Sequence, residues 1–318
     1  MPAEPTTADT RPTPVDAAGW PLVVLTVHAH PDDEASKGAG TIARYHDEGI
    51  RTVLVCCTGG EAGDVLNPAV DTPEVRANLF AVRMQELDNA ASAIGYDVVH
   101  RLGYHDSGMP DSEHNARPDN FANAPQDEAV EALVRIIRAE RPQVVVTYAD
   151  DRTFYPHPDH IKVHEISLPA FEAAGDPAAF PDAGPPWQPL KCYFTGFSRQ
   201  RVQALHDEFL RRGEDSPYAQ WFERELPDVA ERFTTFVDVG DWLHRRRAGL
   251  LAHRTQVDPD GFWMRLPDDD VRRVFPWEEF VLERSLVDTG VPDGEVEDDL
   301  FAGIRVSAAG TAAAGGTA

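Results

Sequence analysis

The apolar run Leu22-Val23-Val24-Leu25-Thr26-Val27 leads straight into His28-Ala29-His30-Pro31-Asp32-Asp33-Glu34, and this junction constrains the fold more than any other stretch. An uncharged run of this length reads as a strand buried on both faces, and Ser36 to Glu48 reads as the helix that follows it. The polar cluster therefore sits at a strand's carboxyl end. In an open α/β sheet that edge is where ligands bind, because loops there vary without disturbing the core. Two histidines and two adjacent carboxylates in such a loop suit a metal: His30 and Asp33 can converge on one ion while Asp32 is left free to act on water. A second loop, Tyr155-Pro156-His157-Pro158-Asp159-His160, follows the strand Val144 to Tyr148 and reaches the same edge. Either loop alone also suits a solvated turn or a helix N-terminus. Together they are far more specific.

The chain has 318 residues, 42% of them hydrophobic, enough for one large α/β domain. Strand Thr52 to Cys57, helix Pro73 to Ile94, strand Val98 to Leu102, helix Gln126 to Glu140 and strand Val144 to Tyr148 follow in order. Helix Ile161 to Ala174, strand Cys192 to Phe197, helix Arg199 to Arg212, strand Thr234 to Val239 and helix Trp242 to His253 complete the body. Short apolar runs alternating with amphipathic segments predict βαβ units, so the expected fold is α/β, a Rossmann-like, mostly parallel sheet flanked by helices. Thr255 to Phe280, with Trp263, Phe275 and Trp277 as packing aromatics, is expected to form a C-terminal covering segment over the sheet edge. The domain is placed at 21–304, between flexible tails at 1–20 and 305–318.

A net charge of −25 leaves no basic patch for a polyanion, which argues against nucleic acid or an anionic membrane surface as partner. No apolar run is long enough to span a bilayer and the N-terminal stretch lacks a signal peptide's apolar middle, so the protein is read as cytoplasmic. Cys56, Cys57 and Cys192 are too few and too poorly spaced for a disulfide framework and read as core thiols. The loop Gly59-Gly60-Glu61-Ala62-Gly63-Asp64 is free to approach a ligand closely, but GxGxxG is absent, which disfavours a nicotinamide cofactor. The irregular stretch Gly103 to Pro125 is long enough to border a substrate cleft. A homo-oligomer is compatible with all of this.

His30-Pro31-Asp32-Asp33-Glu34 followed by His157-Pro158-Asp159-His160 resembles the zinc-dependent LmbE-like, or PIG-L, de-N-acetylase family. The likeness runs from Val24 to Ile304. It extends to Ser36-Lys37-Gly38, Thr58-Gly59-Gly60-Glu61, Leu66-Asn67-Pro68, Asp106-Ser107-Gly108, Ala252-His253, Thr255-Gln256, Asp258-Pro259 and Leu300-Phe301-Ala302-Gly303-Ile304. The resemblance implies a metal-dependent amidase or deacetylase holding Zn2+, with Fe2+ suited to the same donors. By matched positions it implies His30, Asp33 and His160 as metal ligands and Asp32 as the general base that later returns its proton to the amine. It implies His157 as an imidazolium that stabilises the oxyanion or serves as acid, Tyr155 as a hydrogen-bond donor to that oxyanion, and Arg83 and Asp106 as contacts to sugar or inositol hydroxyls. Within the family, Ser36-Lys37-Gly38 is the pattern of amidases acting on mycothiol S-conjugates, so the implied substrate is a small-molecule thiol conjugate, with Lys37 setting the choice. The related deacetylases, which act on an amino-sugar inositol substrate, N-acetylglucosaminyl-inositol, carry an uncharged residue there. An amidase serving a natural-product pathway is a further variant.

Asp159, two residues past His157, is expected to orient that ring and raise its pKa, since a nearby carboxylate favours the charged imidazole. Each assignment has a plainer reading: Asp159 as a helix cap, Tyr155 as a rim aromatic, Arg83 and Glu86 as an exposed helical pair, Lys37 as a surface lysine. His28 reads as a core histidine or one backing the metal ligands. Ala35 and the run Asp150 to Phe154 depart from the family's pattern, which bears on substrate choice and leaves the catalytic set intact. A sugar- or thiol-binding protein without turnover is disfavoured by the presence of both Asp32 and His157. A two-metal nuclease or phosphatase would need more bridging carboxylates and basic phosphate contacts.

Overall fold

The computed structural model describes residues 13–150, 152, 155–222, 233–292 and 294–306. In chain order the first elements are β1 (Val23–His28), α1 (Asp33–Ser36), α2 (Ala39–Asp47), β2 (Arg51–Thr58), α3 (Pro73–Ala77), α4 (Leu79–Ile94), β3 (Val98–Tyr104), α5 (Gln126–Glu140) and β4 (Val144–Tyr148). Next come α6 (Pro158–Gly175), β5 (Lys191–Gly196), α7 (Arg199–Arg211), α8 (Ala219–Phe222), β6 (Thr235–Asp238), α9 (Leu243–Ala252), α10 (Asp268–Val274) and β7 (Trp277–Ser285). The strands form one sheet in the order β3-β2-β1-β4-β5-β7-β6.

β1 is buried along its whole length, parallel to β2 on one side and to β4 on the other. Successive strand side chains point to opposite faces, so neighbours in sequence enter different cores. Val24, Leu54 and Cys56 pack with residues of α2, α4 and α9, whereas Leu25, Val27, Val55 and Cys57 pack with α5 and α6. The three thiols are free and buried, and burial pushes that of Cys192 up to about 12, and those of Cys56 and Cys57 upward as well, as befits inert core residues. Strand order reverses direction at β1, between β2 and β4, the position at which an open α/β sheet binds its ligands.

The structure departs from the sequence reading in five places. The helix predicted over Ser36 to Glu48 starts only at Ala39, as α2, and a separate turn of helix, α1, precedes it, because Gly38 sits at φ 91° and interrupts the run. The helix over Pro73 to Ile94 likewise breaks at Asn78. α6 begins at Pro158 rather than Ile161, which places His160 in its first turn. The segment expected to cover the sheet edge instead supplies β7, an antiparallel strand inserted between β5 and β6. Of its aromatics Phe275 is buried and Trp263 packs against the core, but Trp277 is exposed. Finally, residues 13–20 are not a tail. Val15 bridges Pro21, Asp16 bridges Arg305 and accepts from the Gln143 amide at 2.9 Å, and Trp20 lies against the Arg141 guanidinium, 5.2 Å away. The rest of both expected tails, 1–12 and 307–318, lies outside the described residues. No helix among those described is long and apolar enough to cross a membrane.

Candidate active site

Past β1 the chain turns at His30-Pro31 and enters α1 with Asp32 flanking its start. Asp32 has φ 115°, the largest positive value among the described non-glycine residues, in a region that costs an L side chain about 1–3 kcal/mol. Its N–H donates to Glu34 Oε2 at 2.9 Å and its Oδ2 accepts from Arg83 Nη2 at 2.9 Å; the same guanidinium nitrogen donates to the Pro31 carbonyl at 2.5 Å. Asp33 turns the other way. Its Oδ2 accepts the His30 N–H at 3.0 Å and lies 3.5 Å from His30 Nδ1 and 3.3 Å from His160 Nε2.

His30, Asp33 and His160 thus bring one donor atom each to within 4.8 Å of one another, all buried. His160 Nε2 has no hydrogen-bond partner, the Asp33 oxygen being near but poorly aligned. An orphaned buried imidazole nitrogen beside a carboxylate and a second imidazole fits a divalent metal with an open position. Burial would raise the Asp33 pKa, yet His160 and Lys37 hold it well below the usual range, and burial lowers that of His160, so both residues already have ligating forms. His30 differs: burial opposes its charge, but Asp106, Asp159 and Asp33 overcome that and raise its pKa well above 6.5. Metal entry therefore has to release a proton from it.

Asp159 does not act on His157 as the sequence suggested. Its carboxylate accepts from the Ser107 N–H at 2.9 Å and from the Ser107 hydroxyl, and its Oδ2 lies 3.2 Å from His30 Nε2. What His157 receives from Asp159 is the backbone N–H, donated to Nδ1 at 3.2 Å. The His157 pKa is also lowered, to about 3, by burial and then by the neighbouring imidazoles of His30 and His160. A neutral ring with Nδ1 as acceptor carries its proton on Nε2. In this arrangement the His157 ring is neutral, with its centroid 4.4 Å from that of His30.

The remaining expected residues surround this cluster. Asp106 Oδ1 lies 3.5 Å from His30 Nε2 and accepts the Gly108 N–H at 2.8 Å, while its other oxygen takes the Ala62 N–H at 3.2 Å. Lys37 Nζ is 2.5 Å from Asp33 Oδ1, on a side chain 21% exposed. Tyr155 is exposed, its ring 4.8 Å from His160 and 5.9 Å from His157. His28 is turned to Tyr148, with Nδ1 2.8 Å from its hydroxyl. Arg83 and Glu86 are buried and so are not an exposed pair. Arg83 braces the Gly60 carbonyl as well as Pro31 and Asp32, and Gly60 makes the room, since a Cβ there would collide with the guanidinium. Glu86 accepts the Thr255 N–H at 2.9 Å and its hydroxyl at 2.6 Å.

Sequence reasoning assigned no role to Ser107, to Glu34 or to His253, whose Nε2 meets Glu34 Oε1 at 2.5 Å with both side chains fully buried. A signal was present: all of α1 is apolar or small apart from two adjacent carboxylates, and a buried carboxylate needs a donor. The arrangement as a whole groups a metal-ready triad with a strained carboxylate and a neutral imidazole, which suits hydrolysis of an amide.

Comparison with known proteins agrees. A family model described as PIG-L, GlcNAc-PI de-N-acetylase, matches residues 25–171. The chain is 44% identical to the mycothiol S-conjugate amidase of Streptomyces coelicolor over 90% of this chain and 99% of that protein. It is 39% identical to a 1D-myo-inositol 2-acetamido-2-deoxy-alpha-D-glucopyranoside deacetylase of Frankia casuarinae, over 88% and 94% respectively. Its fold resembles that of N,N'-diacetylchitobiose deacetylase from Pyrococcus horikoshii, with a TM-score of 0.56 at 20% identity, covering 82% of this chain and 83% of that one. From the two loops, the sheet that carries them and these relatives together, the chain is a member of the PIG-L de-N-acetylase family of hydrolases.

Proposed function

We propose that this chain hydrolyses the amide joining glucosaminyl-inositol to the N-acetylcysteinyl part of a mycothiol S-conjugate, releasing the N-acetylcysteine S-conjugate. The observation that carries this reading is Lys37, a part-exposed ammonium paired with Asp33 beside the cluster, which we take to face the acyl half of a bound conjugate. The greater identity to the conjugate amidase supports it. Zinc on His30, Asp33 and His160 would polarise the amide carbonyl and acidify water enough to make it a nucleophile near neutral pH, and iron(II) suits the same donors.

Asp32 takes a proton from the attacking water. Burial raises its pKa, against the opposing pull of Arg83, toward the range where a carboxylate base works best near neutrality. Arg83 keeps that carboxylate aimed, and the proton then passes from Asp32 to the leaving amine. His157 donates its Nε2–H, and Tyr155 its hydroxyl, to the carbonyl oxygen as negative charge builds there. Asp106, anchored by two backbone N–H groups, accepts from hydroxyls of the sugar. We take the cytoplasm, where a soluble thiol conjugate is met, as its location.

The second reading, deacetylation of N-acetylglucosaminyl-inositol, uses the same machinery on a smaller acyl group and is favoured by the several deacetylases at 37–40% identity. Measuring kcat/KM of the zinc-loaded protein on both substrates, with a chelated control, separates the two. A preference for the conjugate that is lost on chelation is expected. A preference for the acetylated sugar would move the protein to the second reading.

A further inference from the structure

We propose that Glu34 and His253 are positioning residues that hold Asp32 in its working conformation, an inference that rests on Asp32 being the general base. At φ 115° Asp32 holds a backbone conformation that an L side chain rarely adopts, so its contacts have to keep it there. Its carbonyl accepts the N–H groups of Ala35 and Ser36 in α1, both at 3.1 Å, and its own N–H is fixed on Glu34 Oε2, at 2.9 Å. Glu34 has no solvent exposure and uses its other oxygen on His253 Nε2, at 2.5 Å. A carboxylate so buried is directional only if both oxygens are engaged, and a charge-assisted partner makes the bond strong.

His253 reaches this point from the far end of α9, 219 residues along the chain. Gly249 lets α9 come close enough, since a Cβ there would press into Ile94 and touch Ala35 of α1. Two residues on, Thr255 is pinned by Glu86, and one turn before Glu86 on α4 stands Arg83, which grips the Asp32 carboxylate. Asp32 is therefore held twice from one frame: by its backbone through Glu34 and His253, and by its side chain through Arg83. The Asp32 side chain is 31% exposed to the cleft while Glu34 and His253 are wholly covered, so these two act through Asp32 and touch no substrate.

The test is a double-mutant cycle on the zinc-loaded enzyme with a mycothiol S-conjugate, reading kcat, KM, bound zinc and melting temperature. His253→Ala is expected to lower kcat at least ten-fold with KM within two-fold and zinc content unchanged. His253→Gln, whose amide can still donate to Glu34, should recover most of kcat. In an Asp32→Asn background, His253→Ala should cost less than two-fold more, because the group it positions is already gone. Equal losses in the two backgrounds, or a His253→Ala enzyme with wild-type kcat, would overturn the proposal. Should His253→Ala not fold, Glu34→Gln, which keeps the length and loses the charge, is judged by the same cycle. Near wild-type turnover in Asp32→Asn alone would instead remove the general-base reading itself, so the two failures are told apart.

Discussion

Asp159→Asn tests whether Asp159 serves His30 or His157. The carboxylate is wholly buried; its Oδ2 meets the Ser107 N–H and His30 Nε2, and its Oδ1 meets the Ser107 hydroxyl, which can rotate. An asparagine keeps the volume and one oxygen toward Ser107 and His30, and turns its amide to the hydroxyl, so the main change is loss of the negative charge. A hydrogen bond to a charged group is worth about 1.5–3 kcal/mol net, and neutralising the acceptor removes roughly half. The expected loss is about 1–1.5 kcal/mol in how well His30 serves as a ligand, or roughly a ten-fold weaker zinc Kd. That sits at the lower edge of the range typical for partners behind metal-bound histidines. Competition against a chelating dye gives the Kd, and kcat at saturating zinc should stay within about three-fold of wild type. An unchanged Kd with kcat down ten-fold or more would refute this reasoning and return Asp159 to the role of orienting His157.

Other outcomes follow from the same geometry. His160→Ala should lower zinc retained after dialysis to a small fraction of wild type, and full retention would remove it from the ligand set. Lys37→Ser should reduce kcat/KM on the S-conjugate several-fold more than on N-acetylglucosaminyl-inositol; an equal loss on both would deny it a part in substrate choice. Arg138→Met should destabilise the fold by about 2 kcal/mol or more in urea, because the buried guanidinium donates to the carbonyls of Ala173, Ala174, Asp176, Ala179, Phe180 and Gly184, of which Ala173, Ala174, Asp176 and Phe180 keep a backbone N–H partner without it. Activity per folded molecule should persist, since none of those carbonyls belongs to the site.

The parts of this fold that were legible in the sequence are those where one local pattern decides. β1 and β4 are unbroken apolar runs because both are central parallel strands, and His and Asp residues just past them could be assigned to one edge. β7 was hidden for the opposite reason. It carries Glu278 and Glu279 in succession, both buried, so its hydrophobic pattern is spoiled. Their partners lie far off: Glu278 accepts the N–H groups of Gly40 and Thr41 at the start of α2, and Glu279 binds Ser198 and Arg201 at the start of α7. Within the site, the grouping of His30, Asp33 and His160 could be anticipated, but which side chain Asp159 serves depended on Ser107, brought in by the irregular loop after β3. Gly38 offered a visible cue to the break after α1, and the helical pattern on either side masked it.

The insertion of β7 also orders the birth of the molecule. His30, Asp33 and His160 all precede β5 in the chain, in the turn and helices that follow β1 and β4, so the three donors are synthesised before the second half of the chain. β6 cannot join the sheet before β7 exists to receive it, and Glu297 then ties Lys191, Tyr193 and Thr235 together across β5 and β6. These pairings span long stretches of chain and are slow to close. The frame around Asp32 waits on the same late segment, through His253 and Thr255. A growing polypeptide of this kind gains the means to capture a metal well before it gains the means to use it.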